Sequence, residues 1–286
     1  MMAAAPVTDA ETGRIADTLA GIACAAGRVL RRWHAAPGPQ SLKPDGTPYT
    51  GADLESEALI LEALAARYPG IPVVAEESVR DQAVGDLFFL VDPLDGTRDF
   101  LAGTPDYTVN IALVAEGRPV AAALAAPGLD RVWFSARDAF EAPIIDHRPG
   151  TAHPVRTRPV PEAGLLALGS RRHGDPETAA CLAALPVLEV RTAGSALKFG
   201  LIASGEADIY VRCGPTMEWD TAAGDAIVTA AGGCVVVPGG GPIRYGRGAA
   251  DYRNGPFAAL ADPSLAPDIV LTPRSGCSLP FNAAHP

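Results

Sequence analysis

The sequence is short of lysine, of histidine and of organised cysteine. Only two of its 23 basic residues are lysines, Lys43 and Lys198, and the rest are arginines. The five cysteines (Cys24, Cys181, Cys213, Cys234, Cys277) are odd in number and scattered. They make neither a disulfide framework nor a zinc-spaced cluster, which points to a reducing compartment. Met1 to Asp17 carries no apolar signal-peptide core, and no uninterrupted apolar run reaches membrane-spanning length. The expected location is therefore the cytoplasm, with peripheral contact at the inner membrane as an alternative. A formal net charge of −10 argues against a nucleic-acid polymer as partner. An anionic substrate would then need metal ions and a local basic pocket.

What is present is a chain of 286 residues, 48% hydrophobic, long enough to bury a sizeable core. Its organising stretch runs from Leu90 to Phe100, Leu-Val-Asp-Pro-Leu-Asp-Gly-Thr-Arg-Asp-Phe. An apolar strand, Leu87 to Val91, is expected to end in a turn at Pro93, which fixes its own φ. Asp92 and Asp95 then face one point, and two like charges so close repel unless a cation lies between them. Hard oxygen ligands without nearby His or Cys suit Mg²⁺. Gly96 and Thr97 follow, where glycine admits close approach and exposed N–H groups can hold a phosphate. The bland alternative is an acidic surface turn, which the strand before it and the partners elsewhere disfavour.

The spacing of apolar residues predicts a helix over Thr8–Trp33 and a second from Leu54, with Thr50 as N-cap and Asp53 as the capping-box acid. Between them the Pro- and Gly-rich segment from Ala35 to Pro48 reads as a loop holding Lys43. A short strand, Ile71–Ala75, ends in Glu76-Glu77-Ser78. Strands over Tyr107–Val114, Val120–Ala126 and Arg131–Ser135 give the first half an antiparallel sheet flanked by helices. The second half alternates strand and helix, which implies an α/β layer. Asp175-Pro176 starts one of its helices, Ser195–Ser204 forms another, and Trp219–Ala231 a third. The boundary falls at Arg148–Pro154, giving halves of residues 1–150 and 151–286.

Glu76-Glu77-Ser78, Asp92-Pro93-Leu94-Asp95-Gly96-Thr97 and Trp219-Asp220 together resemble the lithium-sensitive, Mg²⁺-dependent phosphatase superfamily that includes inositol monophosphatase. Asp92 to Phe100, Gly194 to Phe199 and Gly214 to Gly224 resemble in particular its bacterial 3′(2′),5′-bisphosphate nucleotidases of the CysQ type. That resemblance implies an αβαβα layered sandwich, α+β and α/β in its halves. It implies Glu76, Asp92, the Leu94 carbonyl, Asp95 and Asp220 as ligands of two or three Mg²⁺ ions. It implies Asp53, Glu76 and Thr97 as catalytic groups that activate a water for in-line attack. Asp95, Gly96, Thr97, His173, Ser195, Lys198, Arg212 and Asp220 become the substrate contacts. Lys198 and Ser195, three residues apart near a helix N-terminus, form an expected anion site. Glu77 reads as the solvated acid of its pair. For Asp53 the helix-cap reading is equally good, and one residue can do both.

The implied reaction is hydrolysis of the 3′-phosphate of adenosine 3′,5′-bisphosphate, a by-product of sulfate assimilation. The alternative is an inositol or sugar monophosphatase with the same metal site. A non-catalytic phosphate-binding protein is disfavoured because every catalytic group is present. The expected partner is a small phosphorylated molecule, and the chain is a monomer or homodimer.

Overall fold

The computed structural model is described for residues 9–43, 46–79, 84–171, 174–246 and 252–273. Helix α1 (Asp9–Ala35) is followed by a hairpin of β1 (Gln40–Leu42) and β2 (Pro48–Thr50), then helix α2 (Gly51–Arg67). Strands β3 (Val73–Ala75) and β4 (Leu87–Asp95) lead to the short helix α3 (Thr97–Leu101). A meander follows, β5 (Thr108–Ala115), β6 (Arg118–Ala126), β7 (Arg131–Ser135) and β8 (Ala139–Ile145), edged by β9 (Arg148–Pro149) and β10 (His153–Pro154). The second half contains β11 (Leu165–Ser170), α4 (Pro176–Ala183), β12 (Val187–Ala193), α5 (Leu197–Ala203), β13 (Ile209–Arg212), β14 (Thr216–Met217), α6 (Glu218–Ala230), β15 (Cys234–Val236), β16 (Arg253–Asn254) and β17 (Phe257–Leu260).

Two sheets carry the fold. The larger runs β10-β8-β7-β6-β5-β4-β3, with β9 paired to β8, and the smaller runs β12-β11-β13-β17-β15. Period-two alternation sorts the strand residues between layers. On β5, Ala112 and Val114 face one core, and Val109, Ile111 and Leu113 face another. The first core takes in Phe199 of α5, Ala223 and Ile227 of α6 and Phe257 of the small sheet. The second takes in Leu19 and Leu30 of α1 and Ile60 of α2. A third, with Cys181 of α4, lies on the far face of the small sheet. The order is helices, sheet, helices, sheet, helix, the layered sandwich expected from the sequence.

Small residues set the spacing of the middle helix layer. A Cβ on Gly224 would lie 2.2 Å from Cγ of Phe199, and one on Gly200 would lie 2.7 Å from the Trp133 ring. Alanines dominate β6, and α6 packs directly against that strand. We propose 1–150 and 151–286 as two halves built round one shared core, since that core draws on both sheets.

Several local expectations change. The segment expected as a loop before Thr50 forms the β1–β2 hairpin, whose pairs include Ser41 with Tyr49. Strand β4 does not stop at Val91 but runs to Asp95, with its register against β5 broken between Asp92 and Asp95. Arg148–Pro154 adds β9 and β10 to the large sheet instead of serving only as a linker. Helix α5 begins at Leu197, because Ser195 adopts a left-handed φ of 48°. Among the described residues Cys24, Cys181, Cys213 and Cys234 are unbridged, and no helix is long and apolar enough to cross a membrane.

Candidate active site and metal centre

Strand β4 delivers the central motif to the end of the large sheet. The broken register lets Asp92 and Asp95 leave the regular pleat, and Asp92 Oδ1 accepts the Leu94 amide at 3.0 Å. Ser56 of α2 donates its hydroxyl to the Pro93 carbonyl at 2.8 Å, fixing the strand end from below. Gly96 then takes a φ of 85°, and a Cβ there would come within 3.0 Å of the Asp106 carbonyl. Only glycine suits that combination.

The capping box of α2 is built as the sequence implied. Ala52 donates its amide to Thr50 Oγ1 at 3.0 Å, and Asp53 Oδ2 accepts from the Thr50 amide at 2.7 Å and its hydroxyl at 2.8 Å. The other oxygen of Asp53 lies 3.3 Å from the Thr97 hydroxyl, which also reaches the Leu94 carbonyl at 3.2 Å. Asp53 therefore caps a helix and touches Thr97 at once. Burial pushes its carboxyl up to about 6, against the lowering effect of the two Thr50 hydrogen bonds.

Glu76, Asp92, Leu94, Asp95, Gly96, Thr97 and Asp220 line one cavity of about 480 Å³. Burial and then mutual repulsion raise the carboxyls of Asp92 and Asp220 well above the usual range. Glu76 is raised mainly by burial, opposed by Lys43, and Asp95 by burial, opposed by Lys198. Asp220 sits in the first turn of α6, where its Oδ2 accepts the Met217 amide at 2.8 Å. Among the described residues, no three acidic, His or Cys side chains are closed into a ready cage. The donor chemistry nevertheless fits a hard divalent cation. Carboxylates gathered in a cavity whose lining holds no His or Cys, with burial and then repulsion raising Asp92 and Asp220, are the arrangement that added positive charge relieves.

Cations face the same cavity. Lys198 is buried, and its ammonium donates to the carbonyls of Ala193 (3.1 Å) and Ser195 (2.6 Å) and lies 4.8 Å above the Tyr210 ring. Burial brings its pKa down to about 8, with Asp95 opposing. Arg212 donates to the Pro215 carbonyl at 3.3 Å, and its buried Nε has no partner among the described residues. Lys43, on the loop after β1, places its ammonium 2.6 Å from Glu76 and 2.7 Å from Glu77.

Two expectations are corrected. Glu77 is not a solvated acid: its side chain is 6% exposed against 26% for Glu76, held by Lys43 and by its own amide bonding Glu57. The start of α5 is not a free anion site, because the Ala196 amide already serves Asp95 at 2.5 Å. His173 lies outside the described residues. The sequence reading missed the reach of Lys43 into the site, which its rarity alone had hinted at. It also missed Asn254, whose Nδ2 bonds the Met217 carbonyl (2.9 Å) and Thr221 hydroxyl (2.8 Å) beside Asp220.

Residues 14–269 match the model of the inositol monophosphatase family. The chain belongs to that family. Within it, the chain is 39% identical over 193 residues to the 3′(2′),5′-bisphosphate nucleotidase CysQ of Salmonella typhimurium, covering 66% of this chain and 76% of that one. It is 35% identical over 206 residues to the CysQ nucleotidase of Escherichia coli K12, covering 71% and 81%. The crystal structure of CysQ from Bacteroides thetaiotaomicron matches with a TM-score of 0.73 and 31% identity, over 86% of this chain and 97% of that one. An inositol monophosphatase from Anabaena matches at 0.69 with 25% identity, over 90% and 95%. Inositol monophosphatase-family members thus share both this sequence pattern and this sandwich.

Proposed function

We propose that the chain is a metal-dependent 3′(2′),5′-bisphosphate nucleotidase that releases the 3′-phosphate of adenosine 3′,5′-bisphosphate. The observation that carries the reading is one cavity holding the carboxylates of Glu76, Asp92, Asp95 and Asp220 beside Lys198 and Arg212. The likeness to CysQ nucleotidases supports it. Glu76, Asp92, the Leu94 carbonyl, Asp95 and Asp220 are the groups that would hold two or three Mg²⁺ ions. Bound there, Mg²⁺ supplies charge that offsets the carboxylates and the phosphoryl group, and acidifies water.

The chain's own groups do the rest. The Thr97 hydroxyl has a single proton and two acceptors, Asp53 Oδ1 and the Leu94 carbonyl. Giving it to Asp53 leaves the Thr97 oxygen free to accept from the attacking water and orient it. Asp53, buried and pushed up to about 6, is then matched to receiving a proton near neutral pH. The backbone at Gly96 and Thr97 approaches the phosphoryl group without a side chain in the way. Arg212 and Lys198 give the cavity the positive charge that a second phosphate needs and an inositol monophosphate does not.

The test is the ratio of kcat/KM for adenosine 3′,5′-bisphosphate to that for an inositol monophosphate. A charge-assisted contact is worth about 1.5–3 kcal/mol, so Arg212→Ala and Lys198→Ala should each lower this ratio about 10- to 100-fold. Equal losses on both substrates would reduce the reading to a phosphatase of unassigned specificity.

A further inference from the structure

Of the cations that line the cavity, Lys43, Arg98 and Arg253 serve no step above. Arg253, on β16, is exposed yet lines the same cavity as Asp95, Arg212 and Asp220. Its strand pairs antiparallel with β14, placing Arg253 opposite Met217 and Asn254 opposite Thr216. Residues paired across a ladder share a face. Met217 also lines the cavity, so the ladder's geometry and the position of Arg253 agree.

The backbone that presents Arg253 is held on both sides. Tyr252 is 2% exposed in a left-handed conformation, φ 52°, and its carbonyl accepts the Glu218 amide at 2.7 Å. Its ring packs 6.0 Å from that of Trp219. On the other side Asn254, 2% exposed, bonds the Met217 carbonyl and the Thr221 hydroxyl. A strained, non-glycine residue persists only where its surroundings enforce it. The backbone under Arg253 is thus fixed, so what its binding orders is the side chain alone, whose planar guanidinium loses little per hydrogen bond formed. Among the described residues its guanidinium has no ion pair or hydrogen bond. Lys43 is committed to Glu76 and Glu77, and Lys198 gives two of its three N–H donors to carbonyls.

We propose that Arg253 is a specificity-determining residue, receiving at the cavity mouth the phosphate of a bisphosphate substrate that is not hydrolysed. The claim rests on the nucleotidase reading and adds to it a residue from a separate part of the chain. The planar guanidinium suits a phosphate dianion through paired N–H donors. Because the group is exposed, its contribution is screened by salt.

The experiment measures kcat/KM of the wild type, Arg253→Ala and Arg253→Lys for adenosine 3′,5′-bisphosphate and for adenosine 3′-monophosphate. The second substrate keeps base, ribose and scissile phosphate and lacks only the other phosphate. The bisphosphate-to-monophosphate ratio should fall on the order of tenfold in the Ala variant and less in the Lys variant. Its decline with added salt should also be shallower in the Ala variant than in the wild type. Circular dichroism confirms the fold. A wild type that favours the bisphosphate, with a ratio unmoved by Arg253→Ala, overturns the inference and leaves the nucleotidase reading standing. A wild type that cleaves inositol monophosphate but neither nucleotide overturns both.

Discussion

Asp220→Asn should abolish turnover and at the same time stabilise the metal-free protein. The substitution keeps the side chain's size, so no cavity opens. It also keeps one oxygen to accept the Met217 amide, now at 2.8 Å from Oδ2. What it removes is a buried negative charge that Asp95 and Glu76 both oppose. A gain of about 0.5–2 kcal/mol, the size of a typical single stabilising substitution, raises Tm by roughly 1–4 °C in a chain of this size. Asp220→Ala should move the other way, because losing the helix-start acceptor costs about 0.5–2 kcal/mol. Thermal denaturation in chelator, repeated with Mg²⁺, reads both effects. The wild type should gain stability from Mg²⁺, and the Asn variant should gain much less. An Asn variant that melts below the wild type in chelator would refute the reasoning, since the carboxylate would then be a net stabiliser without metal.

Two further outcomes follow from particular contacts. Gly224→Ala places a Cβ 2.2 Å from Cγ of Phe199 and should cost about 1–3 kcal/mol, seen as a lowered denaturation midpoint. For Asp53, burial lifts the folded carboxyl from 3.8 to about 6, so the folded state holds the extra proton between those values. Its ionisation therefore costs stability above about pH 6, a cost absent below about pH 4 and worth up to ~3 kcal/mol. In metal-free protein Asp53→Asn should flatten the fall of stability across that window, as followed by urea denaturation at several pH values.

The sequence made legible what local chemistry dictates. Thr50 and Asp53 cap α2 because a hydroxyl and an acid at that spacing satisfy orphan amides. The Asp92–Thr97 motif and Asp220 lie on one cavity because a motif at a strand end and an acid at a helix start each carry their own geometry. The misses belong to long-range pairing, which leaves no local period. The β14–β16 ladder joins Met217 to Arg253 across a gap in the chain that no periodicity spans. The hairpin that carries Lys43 toward Glu76 hid inside a Pro- and Gly-rich stretch. The burial of Glu77 is non-local in the same way, since it comes from Lys43 and Glu57, both remote in sequence.

The central claim meets its most direct test in phosphate release by the wild-type protein from adenosine 3′,5′-bisphosphate, adenosine 3′-monophosphate and inositol monophosphate, each with Mg²⁺ and with chelator. The expected result is release that requires Mg²⁺ and is fastest, by kcat/KM, with the bisphosphate. Release undiminished by chelator, or a preference for inositol monophosphate, would contradict it.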